Sequence, residues 1–165
     1  MSGADGAPLV MVKLGGSLIT EKGGDAQARD DVIVRLAREI AEGRQEAEAR
    51  LLVGHGSGSF GHPPAAEHDL RHGTRDEEAR VGLSRTQHRA AGLHRRVVEA
   101  LLAAGVPAFS VVPSSAAVAD DGRVAEFAAE PLLRALRGAY VPVTHGDVMM
   151  DRSRGSTIAS TEAVF

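Results

Sequence analysis

The chain has 165 residues, a net charge of −3, 43% hydrophobic and 25% charged residues, and no cysteine. That gives room for one globular domain with a sizeable core; the acidic balance argues against a generic nucleic-acid binder, and the missing cysteines exclude disulfides, thiolate metal sites and a cysteine nucleophile. No apolar run approaches the ~20 residues that span a membrane, and the opening MSGADGAP lacks a signal peptide's basic start and apolar stretch, so a cytoplasmic protein without membrane or nucleic-acid partners is expected.

Residues 1–8 are small and polar and read as a flexible N-terminus ahead of one domain over 9–165. Leu9 to Leu14 reads as a buried strand ended by Gly15-Gly16. Glu21 to Asp25 is a polar loop. Asp30 or Asp31 can cap a helix that runs to about Glu42, with Gly43 as its stop. Arg50 to Val53 is a second strand, followed by a second glycine loop, Gly54 to His62. Pro63-Pro64 allows a short helix over Ala65 to Leu70. A longer helix is expected from Asp76 to Ala104, closed by Gly105. Pro107 to Val112 is a third strand, and Asp120-Asp121-Gly122 turns a small hairpin between Ala116–Val118 and Val124. Glu126 to Leu136 reads as a helix and Tyr140 to Thr144 as a fourth strand. Met149-Met150 and Thr157-Ile158 flank a further turn, and Ser160-Thr161-Glu162 has the form of a helix start. Strands alternating with helices imply a three-layer αβα sandwich with a mainly parallel sheet.

The two glycine loops carry the chemistry. Lys13-Leu14-Gly15-Gly16-Ser17 and Gly54-His55-Gly56-Ser57-Gly58-Ser59-Phe60-Gly61-His62 each follow an apolar strand. Such loops offer backbone N–H groups to phosphate oxygens. Two of them together suit transfer of a phosphoryl group from a nucleotide to an acceptor. All 19 Lys and Arg residues except Lys13 and Lys22 are arginines, which makes these two conspicuous. Gly56 to Gly61 matches G-x-G-x-x-G, but no strand ending in an acidic residue follows, so a nicotinamide site is not expected; the P-loop pattern is absent. His68 and His72 could share a helix face as metal ligands do, yet no third ligand is evident. His88 and His94 carry no signal, and His55 and His145 are expected to pack beneath their loops.

These segments resemble the isopentenyl phosphate kinases of the amino acid kinase superfamily. The resemblance rests on KLGGSLITEK (Lys13 to Lys22), GHGSGSFGHPPA (Gly54 to Ala65), Gly82 with Thr86-Gln87, GVP (Gly105 to Pro107), and HGDVMMD with GSTIAS (His145 to Ser160). It implies an α/β fold of amino acid kinase type and ATP-dependent phosphorylation of isopentenyl phosphate, with ATP and Mg2+ as cofactors. Lys13, Leu14, Gly15, Gly16, Ser17, Ser57 and Glu162 would lie on the nucleotide side. Lys22, Lys13 and His62 would be catalytic, Lys22 stabilising the phosphoryl group in flight. Gly56, Gly61, His62, Gly146 and Asp147 would border the acceptor phosphate. An acceptor that is already an anion needs no general base, only cancellation of charge repulsion.

Two departures from the family pattern stand out. Thr161-Glu162 replaces a Gly-Asp pair, so Glu162 carries its charge one methylene further out. Ser57 stands at a glycine of the second loop and is strained there if φ must be positive. The family continues for about 100 residues that carry most of the adenosine site. The expectation is therefore a domain whose C-terminal nucleotide lobe is missing, with little activity alone and a homodimer as one candidate assembly. Two other readings stay open: a related small-molecule kinase, such as a fosfomycin kinase, and a non-catalytic remnant that binds phosphate or a partner chain.

Overall fold

The computed structural model describes residues 7–21, 26–61, 73–74 and 76–165. Four parallel strands, β1 (Leu9–Leu14), β2 (Arg50–His55), β3 (Ala108–Ser110) and β6 (Val141–His145), form one sheet in the order β1-β2-β6-β3. Strand β6 lies inside this sheet and is buried along its whole length. A second sheet has the order β5-β4-β7-β8, from β4 (Ala117–Asp120), β5 (Arg123–Phe127), β7 (Asp147–Asp151) and β8 (Gly155–Ala159). It joins two antiparallel hairpins, β4–β5 and β7–β8, through a short parallel pairing of β4 with β7. The sequence pointed to the hairpins but not to the sheet they share.

Two long helices, α2 (Asp30–Glu46) and α3 (Glu77–Ala103), pack against one another on one face of the parallel sheet. Their apolar faces meet Leu14, Val53, Val141 and Val143 through Ile33, Ala37, Leu93, Val97 and Leu101, which form the main core. On the opposite face, a side chain at Gly54 would run into the Phe165 ring at 2.3 Å and the Thr161 methyl at 2.6 Å. The four-residue helix α6 (Thr161–Val164) therefore lies flat on the sheet where β2 has no side chain. Helix α5 (Ala129–Arg137) packs on β6 and β2. Two single turns complete the helices, α1 (Gly16–Ile19) and α4 (Pro113–Ala116). No helix among the described residues is long and apolar enough to cross a membrane.

Several expected boundaries move for identifiable reasons. Strand β1 is an edge, not a buried strand; Leu9, Val10 and Met11 are each more than 40% exposed. Helix α2 starts after Arg29, with Asp30 and Asp31 in its first turn beside the positive end of the dipole rather than at the cap. Gly43 does not stop it, because its carbonyl accepts the closing bond from the Ala47 N–H. Asp76 does cap α3, accepting from the Ala79 N–H at 2.8 Å, and Gly105 ends it at φ +80°. Helix α5 begins only at Ala129, because Glu126 and Phe127 are taken up in pairing with Val118 and Ala117. The short helix expected over Ala65 to Leu70 lies outside the described residues.

Candidate active site

The parallel pairing of β1 with β2 sets Lys13 beside Gly54 and Leu14 beside His55, so both glycine loops leave the same end of the sheet side by side. They touch through their backbones. A Cβ on Gly16 would come within 2.5 Å of the Gly58 nitrogen, and one on Gly56 within 2.8 Å of the Gly16 nitrogen. Two polar links tie them, the second through Thr20. The Gly56 N–H donates to the Leu14 carbonyl (3.0 Å), the Thr20 hydroxyl donates to the Gly16 carbonyl (2.8 Å), and the Ser59 N–H donates to the Thr20 hydroxyl oxygen (3.1 Å).

Ser57 is not strained. Its backbone is right-handed (φ −78°, ψ −14°), and Gly58 after it takes the left-handed value of +48°. A right-handed residue followed by a left-handed one turns successive N–H groups to the same side, the concave arrangement that receives anions. Among the described residues the N–H groups of Ser57 and Gly58 have no partner. They lie on the wall of a cavity of about 1040 Å³ that is also lined by Lys13, Gly15, Gly16, Ser17, Gly146 and Glu162.

Lys13 and Glu162 form an ion pair at this wall. The Lys13 ammonium holds the Glu162 carboxyl below the usual carboxylate range. The extra methylene of Glu162 thus still reaches the first-loop lysine. Thr161 earns its place differently: its hydroxyl donates to the His55 carbonyl at 2.6 Å and anchors α6 to β2.

Other expected site residues fall elsewhere. Leu14 points its side chain into the core, and only its carbonyl meets the second loop. Gly61 closes the loop by packing under Ser57, whose Oγ would sit 2.3 Å from a Cβ there. The Asp147 carboxylate is buried away from the cavity, accepting from the Ser114 N–H (3.0 Å) and the Val148 N–H (2.9 Å). Burial pushes its pKa up against those bonds. Lys22 and His62, like His68 and His72, lie outside the described residues. Sequence reading missed Thr20, whose hydroxyl bridges Gly16 and Ser59. It also missed His94, which joins His55 and His145 under the second loop.

The likenesses to known proteins follow the same pattern. Residues 8–165 match the amino acid kinase family. The isopentenyl phosphate kinase of Methanothermobacter thermautotrophicus is 37% identical over 151 residues, which are 88% of this chain and 56% of that protein. The isopentenyl phosphate kinase of Thermoplasma acidophilum is 34% identical over 157 residues, 95% of this chain and 60% of that protein. A crystal structure of isopentenyl phosphate kinase superposes with a TM-score of 0.87 at 34% identity, over 94% of this chain and 64% of that one. The chain thus spans a little under two thirds of the relatives it matches, and within that span it belongs to the amino acid kinase family.

Proposed function

We propose that this chain supplies the phosphate-handling half of an ATP-dependent kinase that converts isopentenyl phosphate to isopentenyl diphosphate. One observation carries the reading: the two glycine loops meet backbone to backbone, so two phosphate groups held by them would be neighbours. The similarity to isopentenyl phosphate kinases supports the choice of acceptor.

In this mechanism an oxygen of the acceptor phosphate attacks the terminal phosphorus of ATP, the bond to the bridging oxygen breaks, and ADP leaves. No proton has to be removed, so catalysis is a matter of position and charge. The Lys13 ammonium and the N–H groups of Ser57 and Gly58 neutralise phosphate oxygens. Lys22 and His62 take the transition-state and acceptor roles given by their place in the motifs. Glu21 and Glu162 are the carboxylates on the described cavity wall, and both are ion-paired, to Arg29 and Lys13. The donor set therefore fits a Mg2+ ion carried mainly by nucleotide phosphates, which would cancel further charge there.

The test is ADP release with and without isopentenyl phosphate. Release that depends on it and falls about 100-fold in Lys13→Ala is expected, the size of losing one fixed electrostatic group. ADP release indifferent to isopentenyl phosphate would remove the acceptor assignment.

A further inference from the structure

Three imidazoles, from β2, β6 and α3, meet where α3 packs on the sheet beneath the second glycine loop. His55, His94 and His145 are each less than 5% exposed. His55 Nδ1 sits 3.1 Å from the Gly56 carbonyl oxygen, His55 Nε2 3.0 Å from His94 Nδ1, and His94 Nε2 2.6 Å from the Ser110 hydroxyl. The proton positions along this row follow by elimination. Burial lowers the His55 pKa to about 4 and the His94 pKa to about 3, so both rings are neutral at pH 7, with one donor and one acceptor nitrogen each. A carbonyl only accepts, so His55 carries its proton on Nδ1. His55 Nε2 is then an acceptor, so His94 carries its proton on Nδ1. His94 Nε2 is left as an acceptor, and the Ser110 hydroxyl must donate to it.

The far end of the row is the phosphate loop. All described peptide bonds are trans, so the Ser57 N–H points opposite to the Gly56 carbonyl. The bond from His55 holds that carbonyl down toward the buried rings and thereby turns the Ser57 N–H outward, to the cavity side. We propose that His94 and Ser110 are positioning residues. Through a one-way chain of donors, from Ser110 to His94 to His55 to Gly56, they fix the peptide that presents the Ser57 N–H to phosphate. The functional part rests on the phosphate-binding reading above; the donor order does not.

A divalent-metal centre is the competing use of three close histidines. The rings argue against it. His145 stacks on His94 at a centroid distance of 4.2 Å and an interplanar angle of 22°, and imidazole lone pairs lie in the ring plane, so these two rings do not aim at one point. Neither nitrogen of His145 has a hydrogen-bond partner among the described residues, and its Nε2 lies 3.7 Å from the Asp147 carboxylate.

Long-range 1H–15N NMR of the histidine side chains, with and without Ser110→Ala, decides the matter. Ser110 is exposed, so the variant should fold. Expected in the parent are neutral His55 and His94, both protonated at Nδ1. The tautomers are set from the Gly56 end, so in Ser110→Ala both rings should keep Nδ1–H, while the His94 Nε2 resonance loses its hydrogen-bond shift and the Ser57 amide resonance moves; Ser110→Thr should restore both. Affinity for inorganic pyrophosphate, used as the probe, should fall about fivefold in Ser110→Ala, the worth of one hydrogen bond. A His55 protonated at Nε2, or a His94 Nε2 resonance and a Ser57 amide unmoved by Ser110→Ala, would overturn the chain. So would a stoichiometric Zn2+ titration that strips the His94 Nδ1 proton, which would favour a metal. If the parent bound no pyrophosphate while the tautomers behaved as described, the functional reading would fall and the donor order would stand.

Discussion

The two sheets solve the same problem, holding loops in place, with different materials. At the carboxyl end of the parallel sheet the loops are packed so tightly that backbone meets backbone, and glycine is the only residue that fits at Gly16 and Gly56. In the hairpin sheet a side chain does the work. The Asp151 carboxylate accepts from the N–H groups of Gly122 (2.7 Å), Arg154 (2.8 Å) and Ser153 (2.9 Å), pinning both turns at once. Arg154 adds an ion pair to Asp121 across them. The glycine loops are held by backbone packing and present N–H groups; the hairpin turns are held by a carboxylate and depend on its charge.

The largest effect should follow from adding one methyl group to the first region. Gly16→Ala puts a carbon 2.5 Å from the Gly58 nitrogen, and since backbone cannot swing aside as a side chain can, the loops must part. On the function proposed above, isopentenyl-phosphate-dependent ADP release should fall about 100-fold or more, comparable to removing a main electrostatic group. The comparison breaks if Gly16→Ala keeps near-parent turnover.

Acid separates the regions next. The His55, His94 and His145 pKa values are lowered to about 4, 3 and 2, first by burial and, for His94 and His145, also by their neighbours. Unfolded histidines bind protons below pH ~6.5, whereas these do not. The stability they permit is therefore full above pH ~6.5 and is lost as pH falls, at about 1.4 kcal/mol per pH unit for each histidine until its folded pKa is reached. At Asp151 burial works to raise the pKa, but the backbone donors outweigh it and the carboxyl is held low. Its contribution is present above the ordinary carboxylate range and goes only as pH falls through the lowered value. Amide protection, after allowing for slower intrinsic exchange in acid, should therefore fall between pH 7 and 4.5 first in β2 and β6 and only later in the β4–β5 and β7–β8 turns.

Asp151→Ala should cost about 2 kcal/mol, since three part-buried N–H groups lose a charged acceptor. Denaturant melts should show that loss, while pyrophosphate affinity at the glycine loops stays within twofold. The smallest effect is a control. Gly92 lies inside α3 with nothing within 4 Å of an added Cβ, so Gly92→Ala should stabilise by about 0.5–1 kcal/mol.

What could be read from the sequence was what repeats locally. Glycine after an apolar strand marked both loops, Asp76 marked the start of α3, and Asp121-Gly122 marked the hairpin turn, whose φ values of 47° and 79° suit those residues. The exposure of β1 was not legible, because an edge strand and an interior strand share one apolar pattern. Nor was the histidine row. His55 and His94 stand 39 positions apart, and only the packing of α3 on the sheet brings them together. Ser57 shows the limit from the other side: loop composition suggested strain, but the left-handed residue is its neighbour Gly58.

The Lys13–Glu162 ion pair joins residues 149 positions apart, and the Thr161 bond to His55 spans 106. A ribosome adding roughly 5–20 residues per second needs on the order of ten seconds to pass from one member of the ion pair to the other. Over that interval both glycine loops are made before the carboxylate that completes this wall of the cavity. Contacts of such long range also form slowly in folding. That wall of the cavity is therefore completed late, and in a chain cut before position 161 Lys13 would lack its carboxylate partner.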